Sequence, residues 1–257
     1  MPAKPSARTA HDLDALNANL DYLKLSFIGE HYLELTRETA EQQCDHITFL
    51  ARVIEGETHR RQDRSVERRV RLARFPVRKT LDQFQWDWPT KINRLKVQNL
   101  FRLHFIEQLA NVVFIAGVGL GKSHLAIALG LAACHQHHSV LFASAIDAVN
   151  TLAGAQATGR LKQELRRYVR PKLLILDELG YLPIDKNGAD LLFQIISQRY
   201  ERGSTLITTN RVYKKWPEIF NNDSTLTSAV LDRLLHHAET VTIQGKSFRM
   251  KDQIENQ

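Results

Sequence analysis

The spacing of apolar positions changes along the chain, and each change marks a different kind of element. From about Asp12, Leu13, Leu16, Leu20 and Leu23 recur at intervals of three and four, the stripe of an amphipathic helix. A second helix is predicted over 29–37. A third runs from about Glu41 into the low seventies, where no proline intervenes and Ile47, Leu50, Val53 and Ile54 keep the helical spacing. Gly56 would weaken or bend it. Residues 1–10 read as a loose tail. Phe75-Pro76 ends the helical pattern. Phe84, Trp86 and Trp88 then alternate, which suits an edge strand or a packed extended segment. Residues 91–109 read as one further helix, with Ile92, Leu95, Leu100, Leu103 and Ile106 apolar.

From Asn111 the pattern becomes short apolar runs separated by helical stretches. The runs 111–115, 139–144, 173–176, 205–209 and 240–243 read as strands. The stretches 122–134, 145–155, 189–202 and 228–236 read as helices. Buried strands alternating with amphipathic helices predict an α/β fold, a mostly parallel sheet covered on both faces. A small all-α domain would precede it. The domain boundaries expected are 1–75 for the helical domain, 76–105 for a linker and 106–257 for the α/β domain.

Charge changes this picture in one place. The 257 residues carry a net charge of +7, and the excess is local. Residues 52–79 hold 10 Lys/Arg against 4 Asp/Glu, whereas residues 1–51 hold 4 against 8. Arg60, Arg61, Arg64, Arg68 and Arg71 fall in that segment, and four of them (Arg60, Arg64, Arg68, Arg71) share one helical face. Such a face would neutralise a nucleic-acid backbone and release counterions. It would equally suit a solvated helix with Asp63 and Glu67 as local partners. No apolar run has the length of a membrane span, and the N-terminus lacks the apolar core of a signal peptide. The two cysteines, Cys44 and Cys134, are far apart and make no metal spacing. A reduced, cytoplasmic protein is expected.

The candidate chemistry begins where the first strand ends, at Ala116-Gly-Val-Gly-Leu-Gly-Lys-Ser123. The phosphate-binding loop has the pattern G-x-x-x-x-G-K-[ST] between a strand and a helix. Gly121, Lys122 and Ser123 fit it, and Ala116 stands at the first glycine. A dinucleotide fingerprint fits less well, because its third glycine would fall on Lys122. Backbone N–H groups of such a loop cradle phosphates, Lys122 would reach the β- and γ-phosphates, and Ser123 would ligate Mg²⁺. Lys172-Leu-Leu-Ile-Leu176 is an aliphatic strand delivering Asp177 and Glu178 at its C-terminal end, where open α/β sheets bind ligands. Asp177 would hold Mg²⁺ and Glu178 would act as general base on water. Leu206-Ile-Thr-Thr-Asn210 ends a further strand at the same edge, and Asn210 would face the γ-phosphate or the attacking water.

Together Ala116–Ser123, Leu176-Asp-Glu-Leu-Gly-Tyr-Leu-Pro183, Thr208-Thr-Asn210, Leu231-Asp-Arg-Leu234 and Gly245-Lys-Ser-Phe-Arg249 resemble the IstB/DnaC-like AAA+ ATPases. Within them the match is strongest to the IstB helpers of bacterial insertion sequences. The resemblance implies an AAA+ P-loop fold and an ATPase using ATP and Mg²⁺. Nucleotide contacts would come from Gly117, Val118, Gly119, Leu120, Gly121, Lys122, Ser123, His124, Asp177 and Arg249. The catalytic set would be Glu178, Lys122, Asn210 and Arg233, the last as an arginine finger reaching a neighbouring subunit's nucleotide. Arg199 and Arg202 compete for that position. Ala116 and Val118 depart from the glycine and proline usual there, and a methyl at 116 is tolerated if φ is negative. The partners implied are duplex DNA without sequence preference, the transposase of the same element, and further copies of the chain. A replicative helicase loader is the alternative. A small-molecule kinase fits less well, because Glu178 would position water that a kinase must exclude.

Three weaker signals remain. Cys134-His135-Gln136-His137-His138 invites a metal reading, but follows a helix end where histidine suits the dipole. His236-His237 reads as packing. Arg160, Lys162, Arg166, Arg167, Tyr168 and Arg170 suit either a DNA-facing surface or a solvated helix.

Overall fold

The computed structural model describes residues 7–250, with side chains from residue 11. The chain divides into two compact units, Met1–Glu67 and Arg68–Gln257. The first is helical: α1 (Ala7–Tyr22), α2 (Ser26–Glu41) and α3 (His46–Ala73), whose last turns belong to the second unit. Helix α1 starts earlier than the leucine stripe suggests, so residues 7–10 are helical. The rest of the expected tail lies outside the described residues. Leu20, Ile28 and Val53 form the core of this unit, with Leu25, Tyr32, Leu35 and Phe49 packed against them. Glu57 is only 4% exposed. Its carboxylate accepts from the N–H groups of Phe27 (2.8 Å) and Ile28 (3.4 Å), which open α2 and have no partner within that helix. Gly56 continues α3, and a Cβ there would meet the Phe27 ring at 1.9 Å. The glycine makes room for the neighbouring aromatic.

The second unit begins with the short helices α4 (Arg94–Leu100) and α5 (His104–Glu107). The single helix expected over 91–109 is divided by Leu103, which takes φ 62. Phe84, Trp86 and Trp88 make no strand. A 3₁₀ turn at Leu81–Gln83 precedes them, and Phe84 is buried.

The strands are β1 (Asn111–Ala116), β2 (Val140–Ser144), β3 (Leu173–Leu179), β4 (Ser204–Thr209) and β5 (Ala238–Ile243). They form one sheet in the order β2-β3-β4-β1-β5, every neighbouring pair parallel. The intervening helices are α6 (Lys122–His135), α7 (Ala145–Ala157), α8 (Leu161–Val169), α9 (Lys186–Arg199) and α10 (Ser224–Leu235). On one face Val113, Ile115, Leu174, Leu176 and Ile207 share a core with residues of α7 to α10. On the other lies α6, whose Gly130 faces Ile175. Every residue of β1 and β4 is buried, as the unbroken apolar runs require of strands covered on both faces. The α/β class and the small helical unit before it are as the pattern predicts.

Two boundaries bear on the site. Strand β3 continues three residues past Leu176 and takes in Asp177, Glu178 and Leu179. Helix α9 begins at Lys186 rather than 189, because the Asp185 side chain accepts from Gly188 N at 2.8 Å and caps it. The basic stretch before β3 is helix α8, anchored through buried Leu165 and Tyr168. Among the described residues no helix is long and apolar enough to cross a membrane.

Candidate active site

Ala116 is the last residue of β1 and pairs with Ile243, so it is extended and its methyl is accommodated. The glycine requirement falls later. Gly119 has φ 74 and a Cβ there would meet Ser247 Oγ at 2.1 Å. Gly121 has φ 84 and a Cβ there would meet the Phe84 ring at 2.5 Å. Both positions are left-handed and closely approached, so only glycine fits. Helix α6 starts immediately after, and its first N–H groups face the turn.

Lys122 is 4% exposed and folds back over the loop. Its Nζ donates to Gly117 O at 2.7 Å and to Tyr181 Oη at 3.4 Å. Burial lowers its pKa, against the pull of Asp177 and Glu178. Ser123 Oγ donates to Asp177 Oδ1 at 2.9 Å, and Thr208 Oγ1 donates to the same oxygen. Thr208 Oγ1 in turn accepts from Glu178 N at 2.9 Å. One threonine hydroxyl therefore orients both acids.

Glu178 sits in a bulge. Leu176 pairs with Ile207 but Leu179 pairs with Thr209, so β3 has one residue more than β4 between those pairs. Glu178 takes φ 60 there and its side chain is exposed, whereas Asp177 is buried. A bulge beside a site re-aims a side chain, and here it separates two adjacent carboxylates into one buried and one open. Asn210 follows β4, and its Oδ1 is buried without a hydrogen-bond partner among the described residues.

Lys122, Ser123 and Glu178 border a cavity of about 360 Å³, whereas Asp177, Thr208 and Asn210 are not among its lining residues. Gly119 to His124, Glu178 and Tyr181 line one part, and Phe84, Trp88, Phe248 and Arg249 another. Phe84 also stacks edge-on against Trp86 (5.0 Å) and His124 (5.5 Å). Trp88 Nε1 donates to Lys246 O at 2.8 Å, and Phe248 N donates to Gly119 O at 2.9 Å. The segment before β1 and the segment after β5 thus both close on the loop. Gly117 and Val118 are exposed at its tip.

The arginines separate by environment. Arg199 is 1% exposed and cannot serve as a finger. Its guanidinium donates to the carbonyls of Tyr168, Val169, Pro171, Lys172 and Ser204 and to Thr205 Oγ1. Burial lowers its pKa to about 10. Arg202 is exposed. Arg233, on α10, donates to Ala229 O at 2.9 Å and lies 5.0 Å over the Phe193 ring. It borders a second cavity with Asn111 and Thr205, at the strand ends opposite the loop. In the first unit Arg60 pairs with both Glu30 oxygens at 2.7 Å. Arg61 pairs with Glu57 (3.2 Å), and Arg64 is exposed. In the second unit Arg68 and Arg71 are exposed.

The sequence reading missed Thr208 and Tyr181. A hydroxyl inside a fully buried strand was the available signal for Thr208. Tyr181 lies within the run Leu176–Pro183, where residue type alone does not mark it as a partner of Lys122. Residues 134–138 make no metal-ligand grouping among the described residues, and Cys134 is buried. His236 and His237 are exposed rather than packed in a core.

Comparison with known proteins agrees with this geometry. The chain is 38% identical over 237 residues to a protein of insertion sequence IS232 from Bacillus thuringiensis subsp. berliner that is named for ATP binding, covering 92% of this chain and 94% of the relative. It is 38% identical over 242 residues to the similarly named protein of IS21 from Pseudomonas aeruginosa, covering 94% and 90%. The crystal structure of the DnaC helicase loader superposes with a TM-score of 0.53 at 21% identity, over 64% of this chain and 96% of that one, and so shares the fold of the α/β unit. The family described as IstB-like ATP binding protein matches residues 18–256, and the chain belongs to it.

Proposed function

We propose that this protein is a cytoplasmic, Mg²⁺-dependent ATPase that assembles on duplex DNA and assists the transposase of its own insertion sequence. The observation that carries this reading is the convergence of Lys122, Ser123, Asp177 and Glu178 on one glycine loop, in a chain matched to the IstB-like family over residues 18–256.

The donor set fits the cofactors. The turn at Gly119 and Gly121 leaves a cradle that a Cβ would fill. Ser123 Oγ and Asp177 Oδ1, 2.9 Å apart, are the hard oxygen ligands Mg²⁺ takes, and the bound ion would neutralise charge on the phosphate oxygens. Lys122 exchanges the Gly117 carbonyl for phosphate oxygens. Phe84 and Trp88 wall the base. Glu178 accepts the proton of the water that attacks the γ-phosphorus, while the β–γ bridging oxygen leaves with ADP. Asn210 Oδ1 offers a buried acceptor for the other hydrogen of that water.

Arg233 lies at the strand ends away from its own loop. It serves a neighbouring copy's nucleotide, so turnover requires an oligomer. Exposed Arg64, Arg68 and Arg71 contact DNA phosphates without reading bases. Arg60 and Arg61, already paired with Glu30 and Glu57, contribute less. No observation favours the helicase-loader reading, since the likeness to the loader is one of fold.

Glu178→Gln tests the chemistry. It should retain ATP-analogue binding and lose about 100-fold or more in hydrolysis. Hydrolysis at the parent rate would remove Glu178 as the base. Replacing Arg64, Arg68 and Arg71 together by Gln should flatten the slope of log K for DNA against log salt by about 2–3. An unchanged slope would place the contact elsewhere.

A further inference from the structure

At the strand ends opposite the loop, Glu201, His236 and His237 each bring one ligand atom within 4.8 Å of the others. The three come from two turns, Glu201 from the turn after α9 and the histidines from the end of α10. Two imidazoles and a carboxylate form the N₂O donor set of borderline cations. The histidine rings lie 4.1 Å apart between centroids. Tyr200 Oη lies 2.9 Å from His236 Nδ1. That contact holds the His236 ring through Nδ1 and leaves Nε2 free for a ligand role, as the partners of metal-bound histidines do.

A second observation concerns Glu201 itself. It takes φ 55 just past the C-cap Tyr200 of α9. Helices usually place glycine or asparagine at such a left-handed end. A glutamate there is less favoured than glycine, and its carboxylate lies beside the two imidazoles.

We propose that Glu201, His236 and His237 bind one Zn²⁺ per chain. Tetrahedral zinc at ~2.0 Å bonds places its ligands about 3.3 Å apart, so the three exposed side chains need only close inward by rotamer adjustment. Water takes the fourth position, from the cavity of about 280 Å³ that Glu201 and His237 also border. Mg²⁺, which prefers oxygen ligands, does not compete. Zinc ties the turn after α9 to the end of α10, three residues beyond Arg233. The site stands independently of the ATPase assignment.

Zinc titration of the full chain against a chromophoric chelator, without nucleotide, tests it. The wild type should bind one equivalent that His236→Ala, His237→Ala and Glu201→Gly each weaken by about tenfold or more. Tyr200→Phe should weaken it by up to about tenfold. Glu201→Gly also relieves the left-handed strain, so its melting temperature without zinc should be no lower than that of the wild type. Added zinc should raise the wild-type melting temperature and leave that variant unmoved. His135→Ala with His137→Ala should leave binding intact. No zinc binding by the wild type, equal binding by all variants, or loss only in the His135/His137 control would each overturn the proposal.

Discussion

Thr208 is the residue on which the two acids depend. Its hydroxyl donates to Asp177 and accepts from the Glu178 backbone, inside a strand with no exposed position. Thr208→Val keeps the shape and removes both bonds. ATP turnover should fall by about tenfold or more with a smaller loss of nucleotide affinity, seen as a kcat effect in steady-state assays. Cys134 makes a second prediction. Burial pushes its thiol up to about 11 from 9.0. Between those values the folded chain keeps a proton that the unfolded chain releases, so stability falls as pH rises from 9 to 11. The loss is about 2–3 kcal/mol and should be absent from the pH dependence of Cys134→Ala in urea melts. Much at this scale was legible from residue type and order: Lys122 and Ser123 follow the glycine turn after the first strand, and Asp177 and Glu178 stand at the end of the third. Thr208 was not, because a threonine in an aliphatic run reads as strand propensity until its neighbours across the sheet are known. Glu201 lies near the histidine pair only through the fold, so sequence order could not bring the three together.

At the scale of elements, Arg199 binds three segments together. It stands at the end of α9 and takes carbonyls from the end of α8, the chain entering β3 and the first residue of β4. Arg199→Met would leave those buried carbonyls unsatisfied. The chain should lose about 3 kcal/mol or more, measured by denaturant unfolding. The alternation of apolar runs and helical stretches was enough to read the parallel sheet. It could not show that Leu103 would divide a helix or that β3 would carry Glu178 on a bulge. Both are left-handed residues imposed by tertiary contacts, and neither leaves a mark in hydrophobic spacing. Phe84 shows the converse. Its alternation with Trp86 and Trp88 left an edge strand and a packed extended segment both open, and the second is found, with the ring against Gly121 and His124 of the loop and α6.

For the whole molecule, Arg233 and the loop occupy opposite ends of the sheet, so under the proposed function one chain would contribute to two separate sites. An Arg233→Ala chain and a Lys122→Ala chain should each be inactive alone. Mixed, they should recover part of the ATPase activity, because some interfaces pair an intact loop with an intact finger. No recovery across mixing ratios would exclude action in trans. The strand order has a consequence for synthesis. β1 pairs only with β4 and β5, so the loop-bearing strand has no sheet neighbour when it emerges. From Ala116 to Ser204 is 88 residues, roughly 4–18 s of translation. Through that interval β1 presents two bare edges, because β2 and β3 both precede its neighbours β4 and β5 in the chain. Nascent chains of this protein therefore carry the phosphate loop well before they carry the strands that hold it in place.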